Sequence, residues 1–199
     1  MKTELLTNPI RGFSCRIKTF VLIPVCLSFF CCLLPMVNCE AQNSVNNKTV
    51  SKLDIERFLG KWYEIARFDH RFERDQKNTT AYYFMNKDGS ISINNVGWKD
   101  GKRKQSTGKA KVTGIPGLLR VSFFWPFYSD YRVLLIADDY SYALIGGSDE
   151  DYLWLMSRSP NLTNAARNKM LQEAINRGYE VDNLIWVDQS GNTLSKLRN

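Results

Sequence analysis

The chain has 199 residues, 44% of them hydrophobic and 24% charged, the balance of a globular protein with a buried core rather than of a disordered or fibrous one. Its formal charge of +7 comes from 27 basic and 20 acidic residues; residues 1–39 hold four and one of these, leaving 23 and 19, a net +4. All five cysteines (Cys15, Cys26, Cys31, Cys32 and Cys39) fall in that same leader, which excludes a disulfide framework or a cysteine metal site from the body of the protein.

The leader has the order of an export signal, with Lys2, Arg11, Arg16 and Lys18 ahead of an apolar run over 20–37. The run is close to the length that spans a bilayer, so an uncleaved anchor is one reading. Pro35-Met36-Val37-Asn38-Cys39 resembles a lipoprotein signal, in which residues 1–38 are removed and Cys39 is lipidated. Cys39-Glu40-Ala41 also fits ordinary small-x-small cleavage, which would release a secreted or periplasmic soluble protein. Lipidation is preferred because the cysteine follows the apolar run so closely. Residues 39–50 are polar and aperiodic, as a flexible tether is.

The domain is expected over 51–188. In Phe58-Leu59-Gly60-Lys61-Trp62-Tyr63-Glu64 a helical turn becomes a strand, and Gly60 suits the corner because it lacks a Cβ. Strands are predicted over 61–68, 79–85, 90–98, 103–113, 118–125, 131–137, 142–147 and 152–158, separated by turn signals such as Asn86-Lys87-Asp88-Gly89, Asp100-Gly101 and Gly114-Ile115-Pro116-Gly117. Short connections favour an all-β, eight-stranded antiparallel up-and-down barrel, whose closure removes exposed sheet edges. The period then becomes helical over 163–177, with Ala166, Met170, Leu171, Ala174 and Ile175 on one stripe, Thr163 as N-cap and Gly178 after the C-terminus. This C-terminal helix is expected to pack outside the barrel. Residues 184–187 read as a short edge strand and 189–199 as a frayed tail.

Three regions in order, Gly60-x-Trp62-Tyr63, the hairpin Asp138-Asp139-Tyr140-Ser141-Tyr142-Ala143, and Ser157-Arg158-Ser159-Pro160 before the helix, look like the conserved regions of the lipocalins. Residues 60–72, 121–128 and 151–158 most resemble the bacterial outer-membrane and apolipoprotein D-like branch of that family. The second region reads Ala137-Asp138-Asp139 where the family usually shows Thr-Asp-Tyr, and the barrel lacks the cysteines of apolipoprotein D. The resemblance implies that Arg158 lies across Trp62 at the closed end, a guanidinium over an indole, as a structural plug rather than a ligand contact.

With the family register choosing the face, Ala66, Ala81, Tyr83, Ile91, Ile93, Asn95, Val121, Phe123, Trp125, Tyr152, Trp154 and Met156 are expected to point inward. For the sixth strand either Tyr131 and Val133 or Arg132 and Leu134 could do so. The ligand-binding set drawn from this face is Ala66, Ala81, Tyr83, Ile93, Asn95, Val121, Phe123, Trp125, Tyr152 and Trp154, an apolar, aromatic lining in which Asn95 and the tyrosines would meet a head group. Eight strands enclose room for one small ligand at most. A fatty acid or lysophospholipid suits such a cup, since each buried methylene is worth about 0.8 kcal/mol. The resemblance implies the same class, carried or stored without chemistry or cofactor by a protein anchored through Cys39 to the outer membrane and facing the periplasm.

Two other readings compete. His70 is the only histidine, at the end of the first strand, so a lipid-modifying enzyme with histidine chemistry or a multi-histidine metal site would have to use it. A barrel filled by its own aromatic side chains would instead make an interaction protein. Lys99, Lys102, Arg103 and Lys104 cluster at one hairpin without a stacking motif, which speaks for a solvated tip or contact with anionic head groups and against nucleic acid. Pairing of two barrels is left open. Asn47-Lys48-Thr49, Asn78-Thr79-Thr80 and Asn161-Leu162-Thr163 match glycosylation acceptors, and the lipoprotein-like leader makes them chance matches.

Overall fold

The computed structural model describes residues 45–192. The signal peptide over 1–38, Cys39, the first part of the tether and residues 193–199 lie outside the described residues. A single helical turn, α1 (Ile55–Phe58), is capped by Asp54, whose carboxylate accepts from the Arg57 N–H at 3.1 Å. Gly60, at φ +91°, then turns the chain into β1 (Gly60–Arg67). The Arg158 guanidinium lies 3.4 Å from where a Cβ of residue 60 would be. There follow β2 (Lys77–Met85), β3 (Ile91–Lys99), β4 (Lys102–Val112), β5 (Leu118–Phe124), β6 (Phe127–Ile136), β7 (Tyr142–Gly146), β8 (Leu153–Ser157), α2 (Asn164–Asn176) and a two-residue β9 (Ile185–Trp186). Each strand pairs antiparallel with the next, β8 returns to β1, and β1 to β2, which closes the eight-stranded barrel. Thr163 Oγ1 accepts from the Ala166 N–H at 3.2 Å and Gly178 has φ +91°, so both expected helix signals are in place.

The closure is asymmetric. Gly60–Tyr63 pair with Thr80–Tyr83, after which the two strands part, and β9 takes over the freed edge of β1 at Ala66 and Arg67. Residues 187–189 bridge the split: Val187 N–H donates to Ile65 O, Asn78 N–H donates to Asp188 O, and the Gln189 amide donates to Glu64 O at 2.7 Å and Thr79 O at 2.9 Å. Gln189 is buried, and Asn192 bonds to Asn78 and Gln189. The expectation of a frayed tail is thus corrected over 189–192: this segment is the seam of the barrel. Residues 45–50, expected within a tether, also lie against the body. Val45 is buried, Asn46 N–H donates to Arg177 O, and Val50 N–H to Val133 O.

Two hydrophobic layers result. One fills the barrel, with Phe58, Trp62, Ala81, Tyr83, Ile91, Ile93, Ala110, Leu119, Val121, Val133, Ile145 and Met156 among its members. The other lies between the barrel wall and α2, where Tyr63, Ile65, Phe68, Leu144 and Leu155 meet Met170, Ala174 and Tyr179. Ala66 belongs to this outer layer and not to the lining. The reason is a β-bulge between Glu64 and Ala66, where the register against β8 slips by one residue and reverses the alternation of faces. Contacts within the chain group Glu40–Asn199 as one compact unit.

Replacing Gln189 with Ala removes the donor for two buried carbonyls and is expected to cost about 1–3 kcal/mol in stability. A denaturant titration checks this; a midpoint equal to that of the parent would show that the seam carries no load.

Candidate functional site

The closed end is a plug of aromatic rings pinned by one cation. Phe58 from α1 packs on Trp62 and Tyr83 at ring distances of 5.2 and 5.4 Å, and Trp62 Nε1 donates to Phe58 O at 2.8 Å. Arg158 sits 3.8 Å above the Trp62 ring and donates to the carbonyls of Lys61, Arg57, Phe58 and Leu59 at 2.7–3.1 Å. Burial holds its pKa below the ordinary arginine value. Deeper in, Tyr83 and Tyr131 share a hydroxyl contact of 2.9 Å, and burial raises both pKa values well above the usual phenol range. Tyr131 and Val133 therefore face the interior on β6 and Leu134 the outer layer, where the slip between Val133 and Leu135 places Leu135 as well.

Toward the open end the lining becomes polar. On either side of the bulge Glu64 pairs with Met156 and Arg67 with Trp154, both strand partners belonging to the interior layer, so both charges point inward. Arg67 is 1% exposed and Glu64 4%. The loop over 68–76 folds back onto them. Arg67 Nη1 donates to Glu64 Oε1 at 3.0 Å and Nη2 to Glu73 O at 2.5 Å, while Nε lies 3.9 Å from Glu73 Oε2. Trp154 Nε1 donates to the same Glu73 carboxylate at 3.1 Å. Two buried carboxyls thus share one guanidinium. Burial, reinforced by the neighbouring Glu73, pushes the Glu64 pKa well up, and burial raises that of Glu73. Both shifts act against ionising the two carboxyls together.

His70 closes this group from above. Its ring stacks on Phe72 at 5.3 Å and Tyr152 at 4.9 Å and lies 4.8 Å from Trp154, with Nε2 buried and without a hydrogen-bond partner. Burial, then the charge of Arg67, lowers its pKa to about 4 against the opposing pull of Asp69 and Asp151. A neutral imidazole packed in this way is a wall of the site. Among the described residues no cluster of His, Cys, Asp and Glu could hold a metal ion.

The lining expected from the sequence divides into three parts. Ala81, Tyr83, Ile91, Ile93, Val121, Met156 and Trp154 belong to the interior layer, and Asn95 lies on the same face as Ile93, opposite Ala81. Phe123 stands over Gly108 at the rim and Tyr152 covers His70. Trp125 departs from expectation. It is 83% exposed in the turn between β5 and β6, because the strand ends at Phe124 and the chain reverses through Pro126. Sequence reasoning missed Glu64, Arg67 and Glu73 as one cluster. The available signal was a Glu-x-x-Arg pair in a strand that is otherwise apolar after Lys61.

Two clefts lie outside the interior. One of about 250 Å³ is framed at the closed end by residues 51–55 and 112–119, and one of about 530 Å³ at the other end by Asp75, Lys77, Asn78, Trp98, Asp100 and Gly101. Arg67 lines neither of them.

Residues 53–189 match the family model described as a lipocalin-like domain. The chain belongs to the lipocalin family. This lipocalin is 43% identical over 161 residues to the outer membrane lipoprotein Blc of Escherichia coli, covering 78% of the chain and 91% of that protein. It is 27% identical over 148 residues to mouse apolipoprotein D, covering 69% and 77%. Among solved structures, insecticyanin from the tobacco hornworm Manduca sexta superposes with a TM-score of 0.62 at 20% identity, over 73% of this chain and 85% of that one, a likeness of fold.

His70 makes stability pH-dependent with a definite sign. Its folded pKa lies below the unfolded value of 6.5, so its contribution is fully present above pH 6.5 and is lost as pH falls through about 4. Subtracting the profile of a His70→Gln variant, which removes the opposing slopes of Glu64 and Glu73, should leave a difference of about 2–3 kcal/mol across that window. Urea midpoints from pH 4 to 7 measure it; parallel profiles would contradict a buried neutral imidazole.

Proposed function

We propose that the barrel binds one fatty acid or lysophospholipid, with the acyl chain among Ala81, Ile93, Val121 and Met156 and the acidic group at Arg67, and that it carries or stores this lipid without chemistry. The observation that supports this most is a fully buried arginine facing an apolar, aromatic interior, covered by a loop whose Glu73 meets it. Glu73 occupies the place a ligand carboxylate or phosphate would take. When the loop lifts, an incoming anion replaces it charge for charge, with the guanidinium offering a planar fork suited to either group. A chain of a dozen or more methylenes supplies ample apolar transfer energy at about 0.8 kcal/mol each before the costs of association.

The protein works at the cell envelope. The printed name of its Blc relatives supports an outer-membrane lipoprotein, with residues 1–38 as signal peptide and Cys39 as the lipidated residue facing the periplasm. Packing of Phe58, Trp62, Tyr83 and Tyr131 into the closed half favours a guest held in the upper half of the barrel, beneath the loop.

The chain from Glu40 onward, purified and examined by native mass spectrometry with extraction of any bound lipid, is expected to hold one single-chain lipid or to take one up on titration. Ala81→Trp should abolish uptake while the barrel stays folded, at an overpacking cost of about 1–3 kcal/mol. Glu73→Gln should tighten binding of palmitate about tenfold by removing the competing anion, equivalent to ~1.4 kcal/mol. A barrel that refuses every such lipid would mean a filled interior and shift the function to its surface.

A further inference from the structure

The rim of the open end carries two features that neither the fold nor the interior site uses. The β5–β6 turn presents Phe124, Trp125 and Phe127 at 82%, 83% and 76% exposure, three large aromatics around one proline. The neighbouring β3–β4 hairpin presents Lys102, Arg103 and Lys104, all exposed and none ion-paired among the described residues, with Asp100 as the one acid in its turn. Lys99, the direct cross-strand partner of Lys102, is paired with Asp75 at 3.1 Å and so stands apart from the three. Stability of the fold explains neither feature. In an up-and-down barrel both turns point to the end that also holds the 68–76 loop, where Phe72 is exposed as well.

The course of the N-terminal segment adds an independent constraint. Asp54 N–H donates to Tyr140 Oη beside the β6–β7 turn of the closed end, Thr49 Oγ1 to Pro116 O, and Asn47 Nδ2 lies 3.5 Å from Ser148 O in the β7–β8 turn of the open end. Read backwards along the chain, residues 54 to 47 climb the outside of the barrel from its closed to its open end.

We propose that the open end of the barrel is a membrane-docking face, in which Phe124, Trp125 and Phe127 enter the interface of a bilayer while Lys102, Arg103 and Lys104 meet anionic head groups. Aromatic rings favour the head-group level, and each basic residue near an anionic surface adds attraction that salt screens. Because β4 overhangs the end of β5, the barrel leans on the bilayer with its mouth against the lipid. The proposal concerns the rim and holds whichever guest the interior takes.

The test uses the chain from Glu40 onward, so that no acyl anchor contributes, with vesicles of phosphatidylcholine containing phosphatidylglycerol. Co-sedimentation at low salt is expected, and Phe124→Ser/Trp125→Ser/Phe127→Ser and Lys102→Glu/Arg103→Glu/Lys104→Glu should each reduce partitioning about tenfold or more. The loss in the charge variant should shrink in high salt and that in the aromatic variant should persist. Circular dichroism confirms folding, and Trp125→Ser alone replaces the triple aromatic variant if that one fails to fold. Absence of binding, or binding unchanged in both variants, overturns the proposal. So does a vesicle-free dimer that the aromatic variant dissociates, since the rings would then be a contact between copies of this chain.

Discussion

The bulge between Glu64 and Ala66 shifts β1 by one residue against β8, so that Trp62 and Glu64 before it and Arg67 after it all face the barrel interior. A regular strand would have sent Glu64 inward and Arg67 out to the helix layer, leaving a buried carboxyl with no cation. With the bulge, one strand supplies the ring that seals the closed end and the ion pair beneath the open end. Ala66, displaced by the slip, joins Ile65 in the layer under α2, which ties the helix to the same irregularity.

On its other edge, β1 also changes partner near the bulge. Past Tyr63 strand β1 no longer follows β2, and the exposed backbone of both is taken up by β9 and the Gln189 amide. Buried carbonyls left unpaired at that split would each cost free energy comparable to a lost hydrogen bond. Seam and site are therefore neighbours: Gln189 bonds the backbone of Glu64, whose side chain meets Arg67 inside. The loop over 68–76 leaves β1 just beyond this point, which is why Glu73 and His70 can reach back over the mouth. The desolvation cost of the Arg67 guanidinium is thus offset by carboxyls from β1 and from this loop.

Much of the architecture was legible in the sequence because its signals are local. Turn residues separate the strands, Gly60-x-Trp62 marks the barrel floor, and the stripe from Ala166 to Ala174 gives α2 with both ends. The interior lining was legible wherever strands alternate regularly, as at Ala81 and Tyr83 or Ile91 and Ile93. It failed at Ala66 because nothing in Tyr63-Glu64-Ile65-Ala66-Arg67 spells a bulge, and a period of two extrapolated across it inverts the face. Trp125 was misplaced because an aromatic before a proline was read as the last lining residue when it is the exposed turn itself. Gln189 could not stand out, since a glutamine in a polar tail acquires its role only from two carbonyls contributed by β1 and β2.

The most direct measurement is a crystal structure of the protein with palmitate bound. The account requires the carboxylate within hydrogen-bonding distance of Arg67, Glu73 withdrawn from that guanidinium, and the chain running past Ala81 and Val121. A fatty acid lodged outside the barrel, or one inside it with the Arg67–Glu73 contact intact, would contradict the account.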